Sequence, residues 1–196
     1  MDLLLATRNP HKTREIQRIL GTKFVVRDLR DHPEIPETVE NGETFEDNAI
    51  LKAMAVSKSL RGFVIADDSG LEVDALNGAP GIYSARFAGP NATDQQNIEK
   101  LLGELKRSDA KKGQIAARFR CVLALARAAQ ILGTFEGVVE GTIVDLPRGR
   151  GGFGYDPIFK PNGFDQTFGQ LEVAKKDRVS HRGRALEKLG AFLSLR

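Results

Sequence analysis

The order of apolar patterns in the first half of the sequence predicts an α/β fold. Short apolar runs of strand length alternate there with longer segments whose apolar residues recur at helical spacing. The run at residues 63–66 is followed directly by Asp67, Asp68, Ser69 and Gly70. Polar residues just past the carboxyl end of a strand are a common position for the sites of α/β proteins. The same segment therefore supports the fold class and supplies the first candidate site.

The elements of the first half follow in a regular order. Strands are predicted at residues 3–6, 24–26 and 63–66, helices at residues 12–20 and 44–60, and a further helix from a Thr93 cap to about residue 106. Residues 31–41, rich in Pro and Glu, are predicted to be a loop, and residues 77–81 a turn.

The second half is less regular. Residues 116–126 fit a long strand or a helix, and their periodicity does not decide between the two. The other predicted elements are paired strands at 135–144 around Gly137 and Gly141, a glycine-rich loop at 148–154 and a final helix at 180–195. The break at 106–113 is the best place for a boundary between lobes, but it contains no evident linker. We therefore expect residues 1–196 to form a single domain of two lobes.

Charge and cysteine content exclude several classes of protein. The 29 basic and 26 acidic residues are mixed along the chain, and the basic stretches at 106–112 and 175–184 are interrupted. A small polyanion explains such clusters as well as a nucleic acid would, so we expect no nucleic-acid partner. No apolar stretch approaches the roughly 20 residues of a membrane helix, and the N-terminus lacks a signal peptide, so no membrane partner is expected. Cys121, the one cysteine, excludes an intrachain disulfide and favours a cytoplasmic location.

The adjacent acids Asp67 and Asp68 suit a hard metal ion or a base that activates water. If the strand stays extended, their side chains point to opposite faces. One of them would then bind metal or water while the other holds the loop. Gly70 is expected to allow a sharp turn at this point. Because many folds carry two acids at a strand end, the pair by itself does not specify a reaction.

Residues 3–12 are predicted to form a strand, a tight loop and a helix start. Free N–H groups and the positive dipole end at a helix start favour phosphate, and Thr7, Arg8, Asn9 and Lys12 add polar and cationic side chains. An ordinary turn with Asn9 as N-cap and Pro10 at the first helical position explains the same residues equally well. The spacing does not match a Walker loop, which argues against a P-loop NTPase.

Glu40 and Lys52 are candidates from the helix predicted at 44–60. The acids of its first turn complement the helix dipole, and Thr44 with Asp47 resembles a capping box. Glu40 lies before the helix and outside that explanation, so it is the better candidate for a metal ligand. Lys52 shares a helix side with apolar residues, so it either extends to solvent or serves a buried anionic site.

The glycine-rich loop contains G-x-G-x-x-G at residues 149–154, without the flanking strand and helix of a dinucleotide site. A loop that presents Phe153 or Tyr155 for stacking on a flat ligand fits better, and a plain turn with core aromatics is the alternative.

The start of the last helix carries cations. Ser180 is its expected N-cap, and His181 and Arg182 follow. Cations are unfavourable at a helix N-terminus unless an anionic or electron-rich group lies there. His181 and Arg182 are therefore candidate ligand contacts, with solvated surface charge as the alternative.

Taken together, these segments resemble the Ham1-like family of inosine triphosphate pyrophosphatases. The matching segments run over nearly the whole chain: residues 6–9 with Lys12, 40–42, 44–45, 48–49, 52–53, 66–71, 78–86, 152–157 and 180–183. Their number and order make a chance similarity very improbable. Arg8 is a departure, because many members carry a smaller residue there.

The resemblance implies a long mixed β-sheet flanked by helices, with two lobes beside a deep cleft. It implies an enzyme that hydrolyses ITP, dITP and XTP to the monophosphate and pyrophosphate, and so removes damaged purines from the nucleotide pool. It also implies a requirement for Mg²⁺ and a homodimer.

The resemblance further implies roles for single residues. Glu40 and Asp68 would bind Mg²⁺, Asp68 would also activate water, and Lys52 would stabilise charge on the phosphates. The other expected substrate contacts are Thr7, Arg8, Asn9, Pro10, His11, Lys12 and Ser69 near the phosphates, and Phe153, Gly154, Tyr155, Asp156, Lys176, His181 and Arg182 at the base. Donors such as His181 and Arg182 would match the 6-oxo group of hypoxanthine and mismatch the 6-amino group of adenine. Asp67 is expected to play a supporting part.

Two other functions compete with this one. A nucleotide pyrophosphatase of the Maf type would prefer other modified or pyrimidine nucleotides. A nucleotide-sensing module would bind without turnover, but binding alone does not need a base such as Asp68 beside a metal.

Overall fold

A computed structural model describes residues 1–108 and 115–194 of the chain. Its strands are β1 (Asp2–Leu5), β2 (Val25–Asp28), β3 (Phe63–Val73), β4 (Ile115–Arg127), β5 (Gln130–Ile143) and β6 (Phe159–Pro161). Its α-helices are α1 (Pro10–Leu20), α2 (Phe45–Ser59), α3 (Asp94–Arg107), α4 (Val173–Val179) and α5 (His181–Ser194).

The strands form one mixed sheet in the order β2-β1-β3-β4-β5-β6. Strand β1 pairs in parallel with both β2 and β3, whereas β5 and β6 are antiparallel. The mixed sheet and its helices confirm the predicted α/β class. The predicted N-caps Asn9, Thr44 and Thr93 are also confirmed, because each side chain accepts backbone N–H bonds from the first turn of its helix.

Strand β3 is longer than predicted, and this changes the position of the acid pair. β1 ends at Leu5, which is in register with Ile65, whereas β3 continues to Val73. Asp67 and Asp68 thus lie inside β3, beyond its parallel pairing with β1. The prediction of a turn at Gly70 is wrong, because Gly70 is a strand residue. The polar residues after Ala66 predicted the end of a strand. In the structure Asp67 and Asp68 are buried with their partners, and the backbone stays extended to Val73.

In the second half, the structure decides one open prediction, corrects another and adds a helix. Residues 116–126, which fitted strand or helix, lie in β4. Residues 135–144 are not paired strands, because they continue the single strand β5 apart from Val144. Gly137 serves close packing instead of a turn: a Cβ atom there would collide with the carbonyl oxygen of His181 and lie 2.6 Å from the nitrogen of Ala185 in α5. Helix α4 was not predicted, since its sequence VAKKDRV is mostly charged and has no side-chain cap.

The chain divides into two compact units. The first comprises residues 1–68 and 121–137 and the described residues from His181 onward, and the second comprises the described residues of 69–120 together with 138–180. The chain passes between units within β3, β4 and β5 and between α4 and α5. The predicted lobe boundary at 106–113 falls inside the second unit, and residues 109–113 lie outside the described residues.

Each unit has an apolar core of its own. In the first unit, buried residues of α1, β1, β3, β4 and α5 form one cluster, and Cys121 is a fully buried member of it. In the second unit, an aromatic group anchors the cluster, and the rings of Phe119 and Phe159 meet edge to face at 4.8 Å. Among the described residues, no helix has the length and apolar character to span a bilayer.

A buried carboxylate at the end of β2 ties this strand to α1. Asp28 is 2% exposed and accepts hydrogen bonds from Thr13 Oγ1 at 2.6 Å and from Arg30 Nη2 at 2.8 Å. Burial alone would raise the pKa of the Asp28 carboxyl. The hydrogen bonds from Arg30 and Thr13 outweigh burial and lower that pKa from 3.8 to about 2.

We predict that Asp28→Asn lowers the free energy of unfolding by about 2 kcal/mol at pH 7. Because the pKa is lower in the folded protein, the ionised carboxyl stabilises the fold above about pH 4, and this contribution is lost as the pH falls towards 2. Urea denaturation between pH 2 and pH 7 measures the effect. The difference between variant and wild type should shrink below pH 4, and a difference that does not vary with pH would contradict the assignment.

Candidate active site

The loop before α1 is organised by its own side chains. Asn9 Oδ1 accepts the N–H groups of His11 at 2.9 Å and Lys12 at 3.4 Å, and Pro10 occupies the first turn. Thr7 Oγ1 accepts the N–H of Asn9 at 3.2 Å. The capping interpretation of this loop is therefore confirmed. Since these N–H groups are already used, a phosphate here would be bound chiefly by side chains.

Arg8 and His11 have other partners. Arg8 Nη2 donates to the carbonyl oxygens of Ile35 at 2.7 Å and His32 at 3.3 Å, so its guanidinium holds the loop that follows β2. His11 Nδ1 lies 3.2 Å from Arg14 Nη2 on an exposed part of α1. The departure from the family pattern at position 8 thus has a structural use in this protein.

Lys52 brings the two candidate metal ligands together. It is 8% exposed, and its Nζ donates to Asp68 Oδ1 at 2.7 Å, Glu40 Oε1 at 3.0 Å and the carbonyl oxygen of Asp67 at 2.9 Å. Of the two predicted alternatives, the buried anionic site is therefore the one observed. Burial acts to lower the pKa of Lys52, but attraction to Asp68 and Glu40 raises it above its usual value.

The two carboxylate oxygens of Asp68 differ in their partners. Its Oδ2 atom is buried and has no hydrogen-bond partner among the described residues. Burial raises the pKa of the Asp68 carboxyl, and attraction to Lys52 and Lys12 does not cancel that effect. A buried carboxylate oxygen without a donor is suited to a cation or to the proton of a water molecule.

Asp67 faces a different set of partners, as the alternation along an extended strand requires. Its Oδ1 lies 2.5 Å from Lys12 Nζ, and its Oδ2 accepts from Arg182 Nε at 2.8 Å and from Cys121 Sγ at 3.4 Å. Burial alone would raise the pKa of Asp67, but Arg182 and Lys12 hold it well below its usual value. Asp67 is thus an ionised anchor for two cations, which agrees with its expected supporting part.

Arg182 and His181 are both buried at the start of α5. Arg182 is 1% exposed, and besides Asp67 it binds Glu15 Oε2 at 2.6 Å. Sequence reasoning did not single out Glu15, because its partner lies 167 positions away and nothing in α1 indicates the contact. The solvated-surface alternative for Arg182 is wrong, and the electron-rich group expected at this helix start is a pair of carboxylates.

The second unit gathers most of the residues expected at the base. Lys176 Nζ donates to Asp156 Oδ2 at 2.6 Å, the same oxygen accepts the N–H of Phe153 at 2.9 Å, and the ammonium lies 5.4 Å from the Phe153 ring centre. At Gly152 a Cβ atom would collide with this carboxylate, so the glycine-rich loop can fold closely around Asp156.

The two aromatic candidates of this loop differ in exposure. Tyr155 is 3% exposed and its hydroxyl donates to the carbonyl oxygen of Ser84 at 2.9 Å, so it belongs to the core, and burial raises the pKa of its phenol. Phe153 is half-buried and remains a candidate for stacking. The N–H of Gly154 is bound by Asp94 Oδ2 at 2.7 Å. Ser69, half-buried in β3, is the remaining candidate of this unit.

A magnesium ion fits the donors of the first unit. No group of three or more His, Cys, Asp or Glu side chains able to hold a metal occurs in the described parts of the chain. Mg²⁺ is commonly bound by one or two carboxylates, with water and substrate phosphates completing its shell. Glu40 and Asp68 are such a pair.

Comparison with known proteins decides the family. The sequence model of the Ham1 family matches residues 3–192. The chain belongs to the Ham1 family. The family assignment predicted from its motifs is thereby confirmed.

Individual Ham1 relatives are similar along their full length. The dITP/XTP pyrophosphatase of Bacillus licheniformis is 47% identical over 193 residues, covering 98% of this chain and 97% of the relative. The dITP/XTP pyrophosphatase of Bacillus subtilis is 48% identical, with coverage of 98% and 96%.

Solved structures agree with the sequence comparison. The HAM1 protein of Coxiella burnetii superimposes with a TM-score of 0.89 at 39% identity and covers all of both chains. The Ham1 protein of Staphylococcus aureus gives a TM-score of 0.85 at 42% identity, covering 99% of this chain and 98% of that one.

The opposite pKa shifts of the two acids predict opposite effects of neutralising them. Asp67→Asn should lower the free energy of unfolding by about 3–5 kcal/mol, because it leaves Lys12 and Arg182 beside a neutral group. Asp68→Asn should leave that free energy unchanged or slightly higher, because the folded state favours the uncharged form of this carboxyl. Urea denaturation at pH 7 compares the two variants. Equal losses in the free energy of unfolding would contradict the different roles given to Asp67 and Asp68.

Proposed function

We propose that this protein hydrolyses nucleoside triphosphates with non-standard purine bases, ITP, dITP and XTP, to the monophosphate and pyrophosphate, and so cleanses the nucleotide pool. The observation that carries the proposal is the joint occurrence of full-length similarity to dITP/XTP pyrophosphatases and the Glu40–Lys52–Asp68 cluster. A protein that only sensed nucleotides would not need a base such as Asp68 beside a metal.

In the proposed mechanism Asp68 is the base. Lys52 holds Oδ1 of Asp68, which leaves Oδ2 to accept the proton of the attacking water. Bound by Glu40 and Asp68, Mg²⁺ would neutralise phosphate charge and orient the leaving group.

Lys52 is also proposed to contact the substrate phosphates. An ammonium group has three donors, and all three are used by Glu40, Asp68 and the carbonyl oxygen of Asp67. To contact a phosphate, Lys52 must exchange one of these partners. Glu40 is the partner to exchange, because it is the more exposed of the two carboxylates, 28% against 9% for the side chain of Asp68. Lys12, held by Asp67, adds a further cation for the phosphates.

The substrate contacts are proposed as the sequence predicted them. Thr7, Asn9, Lys12 and Ser69 have short polar or cationic side chains suited to phosphate oxygens. The other predicted contacts are Arg8, Pro10, His11, Phe153, Gly154, Tyr155, Asp156, Lys176, His181 and Arg182. We propose a homodimer acting in the cytoplasm, and the oligomeric state can be measured by light scattering.

The reaction itself is the first test. Purified protein with Mg²⁺ should convert ITP, dITP and XTP to monophosphates and pyrophosphate, and in ¹⁸O-water the label should enter one of these two products. Formation of IDP and phosphate would reject the proposed bond cleavage. Preference for dUTP or dTTP in the same panel would favour the Maf-type alternative.

The same assay tests the base. Asp68→Asn should lower kcat by about 10²- to 10⁴-fold, because the group that takes the proton is lost. Asp74→Asn is a matched control, since Asp74 is half-exposed and paired with Arg118 on the surface. Turnover of Asp68→Asn at the wild-type rate in saturating Mg²⁺ would remove Asp68 from the role of base.

Base selectivity is tested by His181→Ala. The variant should lose discrimination between ITP and ATP by roughly 5- to 150-fold in the ratio of kcat/KM, the effect of about 1–3 kcal/mol for one mismatched polar contact. Arg182→Ala must first be checked for folding, because its guanidinium is paired with two buried carboxylates. An unchanged ITP/ATP ratio in His181→Ala would exclude His181 from base recognition.

A further inference from the structure

Helices α2 and α3 begin in the same way. Each has a threonine N-cap in a capping box, Thr44 with Asp47 and Thr93 with Gln96. Each has an asparagine at the next position, Asn48 in α2 and Asn97 in α3. The repeated Thr-x-x-(Asp/Gln)-Asn sequence is a local motif that the helix caps alone do not explain.

Both asparagines fasten the loop that precedes their helix. Asn48 is fully buried and its Oδ1 accepts the N–H of Gly42 at 2.9 Å. Asn97 is 2% exposed and its Oδ1 accepts the N–H of Ala88 at 2.8 Å. The bond to Gly42 also depends on the glycine, because a Cβ atom there would lie 2.5 Å from Asp47 Cβ and 2.8 Å from Asn48 Oδ1.

The two amide groups differ in their nitrogen atoms. Asn97 Nδ2 donates to the carbonyl oxygen of Ala85 at 3.1 Å, so both ends of this amide are used. Asn48 Nδ2 is buried and has no hydrogen-bond partner among the described residues. Buried polar groups without partners are rare, and each needs an explanation. The two asparagines thus share the clamp through Oδ1 and differ at Nδ2.

The loop that Asn48 fastens carries Glu40. Gly42, whose N–H is bound, lies two residues after Glu40, and Lys52, which binds Glu40 Oε1 at 3.0 Å, lies one helical turn after Asn48. Asn48 and Lys52 thus lie on the same face of α2 and hold the loop segment at its backbone and at its carboxylate.

We propose that Asn48 is a positioning residue of the active site, which fixes Glu40 for cation binding through the hydrogen bond to Gly42. This inference rests on the proposed function, because that function makes Glu40 a cation ligand. Mg²⁺ requires near-ideal geometry, so a Glu40 carboxylate on a loosened loop would bind the cation more weakly. Lys52 cannot replace the clamp, since it must release Glu40 when it turns to a phosphate.

The test compares Asn48→Ala with Asn97→Ala, the same substitution at the equivalent position of the other helix. Binding of Mn²⁺ is followed by electron paramagnetic resonance in the presence of α,β-methylene-ITP, which cannot be cleaved. Asn48→Ala should weaken Mn²⁺ binding by about 10- to 100-fold, as expected for loss of a residue that orients a ligand. Asn97→Ala should bind Mn²⁺ as the wild type does.

A second readout needs no ligand. Hydrogen–deuterium exchange of the peptide containing residues 40–44 should accelerate in Asn48→Ala and remain slow in Asn97→Ala. Asn48→Asp keeps the acceptor oxygen for Gly42 and should restore slow exchange and Mn²⁺ affinity. If Asn48→Ala does not fold by circular dichroism, Gly42→Ala breaks the same hydrogen bond from the other side and should give the same two changes.

The outcomes separate the two proposals. Faster exchange with unchanged Mn²⁺ affinity would make Asn48 a structural clamp and overturn the positioning role, while ITP hydrolysis by the wild type would leave the proposed function intact. A wild type that binds no Mn²⁺ with the analogue would overturn the positioning role together with the metal assignment. Weaker Mn²⁺ binding in Asn48→Ala with rescue in Asn48→Asp supports the positioning role.

Discussion

In an extended strand, neighbouring side chains point to opposite faces, and this rule gives two adjacent acids of the first unit different partners. Asp67 and Asp68 are adjacent in β3, yet one binds Lys12 and Arg182 and the other binds Lys52. Their backbone connects the two groups, because the carbonyl oxygen of Asp67 accepts from both lysines. Had β3 ended at Ala66, as its polar residues suggested, neither set of contacts would follow from the strand geometry.

The partners of each acid determine its chemistry. Asp67 has a cation on each oxygen, so its charge is compensated and the residue serves stability. Asp68 has a cation on one oxygen and nothing within the described residues on the other, so burial raises its pKa. The protein thereby places a stabilising carboxylate and the proposed base on consecutive residues, and the proposed base is expected to make the fold less stable.

The residues that hold the candidate site are close to one another in the sequence, whereas the site residues come from distant parts of the chain. Capping boxes fix the starts of α2 and α3, and an asparagine in each first turn fastens the preceding loop. In α2 that loop carries Glu40, and the next turn carries Lys52. The sequence segments that resemble the Ham1 family include Glu40 and Lys52 together with Gly42 and Asn48, whose hydrogen bond holds the loop.

Part of the fold follows from the sequence, because the information for it is local. Helix caps at Asn9, Thr44 and Thr93 depend on residues two or three positions apart, and the α/β class depends on periodicities within single elements. The motifs were specific enough to give the family. The sequence left strand and helix open at 116–126 and wrongly predicted paired strands at 135–144, since the conformation of both segments depends on pairing and packing with distant segments.

The sequence by itself determined the candidate residues: a pair of acids, a lysine on an apolar helix side, and a glutamate outside any helix cap. The family resemblance then assigned Asp68 to metal and water. Only the tertiary structure shows the contacts that set the two acids apart. These contacts come from Arg182, Lys12 and Lys52, between 15 and 115 positions from the acids in the chain. Electrostatic interactions act over a few ångströms in space, and distance along the chain does not indicate which charges will meet.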